Sequence, residues 1–202
     1  MSTDLRALVP AIDWIDEALA RVRADPAAIR LLFPVVGRHC GRGPLPDESG
    51  WTVDDAVRVL LLTALPHQGQ RLVDELTALY RSGDAAERRG VLRGLADLEP
   101  RLGDLALPLV RDAVATNDSR LISAALGEYA ALRLDADGYR QAVLKCVFTG
   151  IPLADVAGLA DRADGELARM LADFAHERTA AGRDVPVDVW PILESHSSSR
   201  QD

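Results

Sequence analysis

The chain has 202 residues, enough for one domain with a proper core, and 48% of them are apolar against 27% charged. A formal charge of −8 and a pI near 5.0 exclude a broadly basic nucleic-acid face, though not a local basic pocket. Aromatic residues make up only 4%, while Ala, Leu and Arg abound, so a helix-rich protein is expected.

In chain order, Ser2 or Thr3 is placed to cap a first helix running to about Arg23, with Leu5, Leu8, Ile12, Ile15 and Leu19 inward. Pro10 kinks that helix or marks a later start. The segment is acidic and amphipathic and lacks the charged, apolar and cleavage regions of a secretory signal. No stretch approaches the length of a membrane span. Cys40 and Cys146 stand too far apart for a disulfide framework and without metal-ligand spacing, so reduced thiols and a cytoplasmic location are expected. Asp25-Pro26 is a second start signal, a cap followed by proline; the short helix after it carries Ile29, Leu31 and Leu32 and ends near Phe33-Pro34.

Next comes "LLFPVVGRHCGRGPL", Leu31 to Leu45. No Gly-Lys-Ser/Thr follows a strand here, so it is no nucleotide loop. Adjacent His39 and Cys40 rarely orient toward each other and have no third group, so they make no catalytic dyad. A glycine-hinged turn carrying Arg38 and Arg42 remains. Their guanidinium forks either pair with acidic side chains of a neighbouring helix or recognise a carboxylate or phosphate.

Thr52 opens "TVDDAVRVLLLTAL" with Asp55 in the place of a capping box. "GQRLVDELTALYRSG" stops at Gly83, and a helix starts at Asp84. "LALPLVRDAVATN", "SRLISAALGEYAALRL" and "DADGYRQAVLKCVFTG" follow, the last from Asp135 to Gly150. A last long helix spans about Asp161 to Ala181, with Leu167, Met170, Leu171 and Phe174 on its apolar face and Gly182 as its stop. Val189, Trp190 and Ile192 form a short apolar clip. Apolar residues recur at three- and four-residue spacing almost throughout. The fold class is therefore all-α. Helix pairs at a period of roughly thirty to thirty-five residues suggest an irregular α-α superhelix of the HEAT or armadillo kind; the alternative is a compact helical bundle. One domain over residues 1–193 and a disordered tail over 194–202 are expected.

On the last long helix Arg162, Glu166, Arg169, Asp173, His176 and Glu177 share a charged stripe. Arg162-Glu166 and Arg169-Asp173 are i,i+4 pairs of the solvated kind. His176-Glu177 lacks the second histidine of H-E-x-x-H, so no metal set forms. Lys145, amid Val143, Leu144, Val147 and Phe148, is either a snorkelling side chain or a cation facing a pocket. Asn117 and Glu128 read as cap or surface positions.

"YRQAVLKCVFTGIPLADVAGLADRADGELARMLADFAHERTAAGRDVPVDVW", Tyr139 to Trp190, resembles the EboA family, the EboA metabolite traffic proteins. "FPVVGRHCGRGPL", Trp51 and the acidic pair after Trp51 resemble it too, while the middle of the chain matches only in helical character. The chain departs from the family pattern at Tyr139-Arg140-Gln141-Ala142, where aromatic-Asn-Gln-Met is typical. It departs again after "GEYA", where an Asn-Pro-Tyr stretch is missing, and at Thr179, where tryptophan is frequent. The resemblance implies a bacterial protein encoded with secondary-metabolite enzymes: a UbiA-like prenyltransferase, a TatD-like hydrolase, and cyclase- and isomerase-like sugar enzymes. Its implied role is handling a metabolite precursor, with no cofactor, metal or catalytic residue carried over. The family motif picks out Arg38, Arg42, Lys145, Arg162, Arg169, Asp173, His176, Glu177 and Arg183 as ligand-binding residues. Lone salt bridges on a solvated face contribute little, so a recurrent charged motif points to a site. The "VGRHCGRGPL" loop is expected to fold over the last long helix, so that the cations line an anion pocket while Asp173, His176 and Glu177 orient them or meet ligand hydroxyls. Three functions follow: a module binding an anionic metabolite, an adaptor holding pathway enzymes with no ligand, or an enzyme with His176 as acid–base.

Overall fold

The structure, a computed structural model, describes residues 5–46 and 50–198; the cap expected at Ser2 or Thr3 lies outside the described residues. The α-helices are α1 (Leu5–Leu8), α2 (Asp13–Ala24), α3 (Ile29–Leu32), α4 (Val36–Cys40), α5 (Val53–Thr63), α6 (Gly69–Ser82), α7 (Ala85–Leu102), α8 (Leu107–Ala115), α9 (Ser119–Ala125), α10 (Glu128–Arg133), α11 (Ala136–Thr149), α12 (Leu159–Arg162), α13 (Gly165–Ala180) and α14 (Trp190–Ser198). Among the described residues every named element is helical, as the 3.6-residue periodicity requires. An isolated antiparallel bridge joins Pro44 to Thr52, with the Leu45 amide donating to the Trp51 carbonyl at 2.9 Å. No helix is long and apolar enough to cross a membrane.

Within the span expected as one domain, the chain forms two compact units, residues 1–111 and 112–202. The first is organised around α5, against which α1, α2, α4 and α7 pack. Its Val53, Ala56, Val57, Val59, Leu61 and Leu62 are all buried, and a helix covered on every side is a core helix. α7 holds both its ends: Arg101 donates to the Leu65 carbonyl at 2.5 Å and the Thr63 carbonyl at 3.3 Å, where α5 runs out of intrahelical partners. Close approach of α7 is possible because Gly90 and Gly94, one turn apart, face Arg58 and Leu62, also one turn apart. α3 is tied to α6 by a bidentate pair, Arg30 to Glu75 at 2.8 and 2.7 Å.

Local chemistry starts the helices. Asp25 accepts from the Ala27 amide and Asp84 from those of Ala86 and Glu87; Asp135 accepts from Gly138. Pro10 separates α1 from α2. The stretch expected as a hinged turn after Phe33-Pro34 is helical through Cys40 as α4, and breaks only at Gly41. Arg38 therefore projects from a helix and Arg42 from the turn beyond it.

In the second unit α11 packs on α9 and α13, and α13 on α14. Leu167, Leu171 and Phe174 of α13 are buried as expected, whereas Met170 is half-buried. The last long helix is not continuous: α12 ends at Arg162, and Asp164 starts α13 by accepting from the Leu167 amide at 2.9 Å. Gly182, at φ +66°, closes α13, with Arg183 N–H bonding the Arg178 carbonyl and Gly182 N–H that of Thr179. Of the apolar clip, Val189 and Ile192 are buried while Trp190 is exposed. The segment expected as a tail from residue 194 is helical as far as Ser198; residues 199–202 lie outside the described ones.

Candidate functional site

Asp54, Asp55 and Arg58 are wholly buried, each at 0% exposure, in the first turns of α5. Burying charge is costly unless each group is paired and hydrogen-bonded. Asp55 accepts from Arg89 Nε at 2.8 and 2.9 Å, pairs with Arg93 Nε at 3.3 Å, and receives the Thr52 backbone N–H at 3.3 Å. It thereby closes the capping box that "TVDD" announces, and both carboxylates sit at the positive end of the helix dipole. Asp54 accepts from Thr52 Oγ1 at 2.6 Å and from Arg58 Nη1 at 2.5 Å. Arg93 reaches on to the Gly50 carbonyl at 2.6 Å and lies over the Trp51 ring at 4.4 Å, which fixes the strap leading into α5.

Arg58 is the unusual member. Its Nη1 is spent on Asp54, its Nε donates to the Phe33 carbonyl at 3.3 Å, and its guanidinium lies 5.6 Å from the Phe33 ring centroid. Nη2 is buried and has no hydrogen-bond acceptor among the described residues. A buried donor left unmatched costs about 1–3 kcal/mol, more when charged, so this atom needs a reason. Cys40, Asp84 and Glu87 all feel the Arg58 charge. Burial pushes the Cys40 thiol up despite that cation. The caps to Glu87 and Ala86 hold Asp84 below the usual carboxylate range, whereas burial and then the Asp84 charge raise Glu87.

The residues expected to bind ligand fall as follows. Arg38 and Arg42 are exposed and make no hydrogen bond or ion pair among the described residues. Arg42 lies back on α4, where a Cβ at Gly37 would stand 2.6 Å from its Nε. His39 stacks on Trp14, ring centroids 4.3 Å apart. In the second unit Lys145 is half-buried, with Nζ donating to Asn117 Oδ1 at 3.1 Å. Arg162 is spent on structure: it donates to the carbonyls of Ala131 at 2.6 Å, Leu134 at 2.8 Å and Ala130 at 3.3 Å, and lies 4.1 Å from the Tyr139 ring centroid. It thus caps α10. Arg169 is exposed and grips Glu166 and Asp173 of its own helix at 2.7 Å each. Asp173, His176, Glu177 and Arg183 are exposed; the side chains of His176, Glu177 and Arg183 have no hydrogen bond or ion pair among the described residues. Among those residues no group of three His, Cys, Asp or Glu side chains is placed to hold a metal ion.

Sequence reading missed Arg58, Arg89 and Arg93. A signal was present: Asp54 and Arg58 are an i,i+4 pair on a helix whose remaining positions are almost all apolar, so no solvated face was left for them.

Among the described residues the fold and this network define an all-helical protein whose first unit buries an arginine–carboxylate network. The family described as metabolite traffic protein EboA matches residues 11–194, and the chain belongs to the EboA family. No curated protein and no solved structure matches the chain.

Proposed function

We propose that this protein binds an anionic, polar metabolite of a bacterial secondary-metabolite pathway and passes it on without transforming it. The family assignment supports a role in metabolite traffic. The observation that carries the anionic ligand is the set of unspent guanidinium donors in the first unit: Arg38 and Arg42 have no carboxylate partner among the described residues, and Arg58 Nη2 has no acceptor. Arginine forks left open in this way fit a carboxylate or phosphate. In the second unit, taken by itself, the reading keeps Lys145, Asp173, His176, Glu177 and Arg183 as candidate contacts for a ligand or partner. It drops Arg162 and Arg169, whose donors are consumed. The receiving partner in this reading is an enzyme of the same gene cluster, such as a UbiA-like prenyltransferase.

The test is the unfolding midpoint against inorganic phosphate. A ligand that binds the folded state raises it with concentration, and Arg38→Ala with Arg42→Ala should abolish the rise. A second reading, an adaptor holding pathway enzymes without a small ligand, is favoured by exposed apolar side chains in the second unit, Phe148 at 63% and Val187 at 83%. An adaptor shows no phosphate response in the parent protein.

A further inference from the structure

We propose that the outer face of α13 is where two copies of this chain meet, antiparallel across a two-fold axis, with Arg169 of each copy against Asp173 of the other and Glu166 against His176. This goes beyond the ligand reading above and does not depend on it.

Glu166, Arg169, Asp173 and His176 are all exposed. They are placed symmetrically about Leu171, which is wholly buried and so fixes the opposite, outward direction of the helix. Arg169 and Asp173 stand two residues to either side of Leu171, about 3 Å along the axis. Glu166 and His176 stand five residues to either side, about 7.5 Å along it. At about 100° per residue, Arg169 and Asp173 lie about 20° to either side of the outward line, and Glu166 and His176 about 40°. A two-fold axis along that line reverses both height and side. It therefore brings the partner's Asp173 over Arg169 and the partner's His176 over Glu166, and the reverse. Every facing pair joins an acid to a base.

The side chains hold unused capacity for these contacts. Arg169 commits Nε and Nη2 to Glu166 and Nη1 to Asp173, which leaves one N–H on each terminal nitrogen of the guanidinium. Among the described residues Asp173 accepts through Oδ2 alone, so Oδ1 is open to the partner's Arg169. Pairing within α13 leaves His176 with no hydrogen bond or ion pair among those residues, and the partner's Glu166 supplies its acceptor. Glu166 stays ionised for that role, because the Arg169 guanidinium holds its carboxyl below the usual carboxylate range. An unrelated partner would have to carry a matching stripe, whereas this face carries its own complement, so the occupant is a second copy. Exposed ion pairs are individually weak. The association is therefore transient, and dilution dissociates it.

The experiment is sedimentation equilibrium of the full chain from about 10 μM to 1 mM, the range in which a weak contact forms. The weight-average mass should climb from 21.8 kDa toward twice that value, and raising the salt from about 0.05 to 0.5 M should reverse the climb. Arg169→Asp and Asp173→Arg, each checked for folding by circular dichroism, should each remain monomeric, because like charges then face each other. Mixed in equal amounts, they should associate at least as well as the parent, since one chain then offers two acids where the other offers two bases. A parent that keeps a mass of 21.8 kDa across the whole concentration range overturns the proposal. A dimer that survives both substitutions overturns the α13 face. A mixture that stays monomeric while the parent associates overturns the two-fold pairing.

Discussion

Gly90 of α7 and the side chain of Arg58 on α5 occupy adjoining space: a Cβ at Gly90 would stand 2.7 Å from Cδ of Arg58 and 3.0 Å from its Cβ. Alanine there gains about 1 kcal/mol of helix propensity but overpacks the contact at a cost of about 1–3 kcal/mol. Arg58 cannot yield without loosening its bond to Asp54, so Gly90→Ala should lower stability by about 1–2 kcal/mol in urea denaturation. Gly94→Ala should cost less, because its contact at 2.9 Å is the Leu62 Cδ1 methyl, the far end of a side chain rather than its stem. Parental stability in Gly90→Ala would mean that α5 and α7 are not held at this distance.

The Asp54–Arg58 pair is stabilising only as a pair. Asp54→Ala leaves Arg58 charged, buried and unneutralised, and should cost about 3–5 kcal/mol. Replacing both, Asp54→Leu with Arg58→Met, removes the stranded charge and should recover most of that loss while abolishing any anion response that depends on Arg58. If the double variant is as unstable as the single, the charge is not what Asp54 neutralises.

Asp164 sets an acid limit on the second unit. The Arg140 guanidinium, at 2.6 Å, and then the Leu167 amide hold its carboxyl down, from an ordinary 3.8 to about 2. Its folded pKa lies below its unfolded one, so its contribution is complete above about pH 4 and is lost as pH falls from there toward 2. The carboxylate is partly exposed, so solvent screens the size of the effect and the window is the quantity to read. Asp164→Ala should flatten the stability-against-pH curve between pH 4 and 2 relative to the parent and leave its slope above pH 5 unchanged, as followed by circular dichroism melts.

Arg162, at the end of α12, and Arg169, on α13, which the sequence puts on one charged stripe, should behave oppositely. Arg162→Ala strands the carbonyls at the end of α10 and should cost about 2–3 kcal/mol, with the phosphate response intact. Arg169→Ala removes only exposed pairs on its own helix and should stay within about 0.5 kcal/mol of the parent. Equal effects would contradict the division of the stripe into a structural cap and a solvated pair.

Legibility followed locality. The caps at Asp25, Asp84 and Asp135, the capping box from Thr52 to Asp55, the break at Pro10 and the stop at Gly182 each involve atoms within a few residues of one another, and all could be read in order from the chain. The interruption before Asp164 was equally local but was overridden by the apolar period that runs through it. The identity of Arg38 and Arg42 as unspent cations was half legible: their residue type was plain, but the absence of a carboxylate partner was not.

What the sequence determined by itself is an all-helical chain, where most of its helices begin and end, and its membership in a family. Only the tertiary structure decided which charges lie inside. Gly90 and Gly94 are unremarkable in α7 until α5 is laid against them, and the same contact turns Arg58 from an ordinary i,i+4 partner into a sealed cation with one donor unmatched. Helix periodicity states which residues share a face. Whether that face meets water or another helix depends on residues far away in the chain, and for a charged side chain that difference decides between a solvated pair and a buried one.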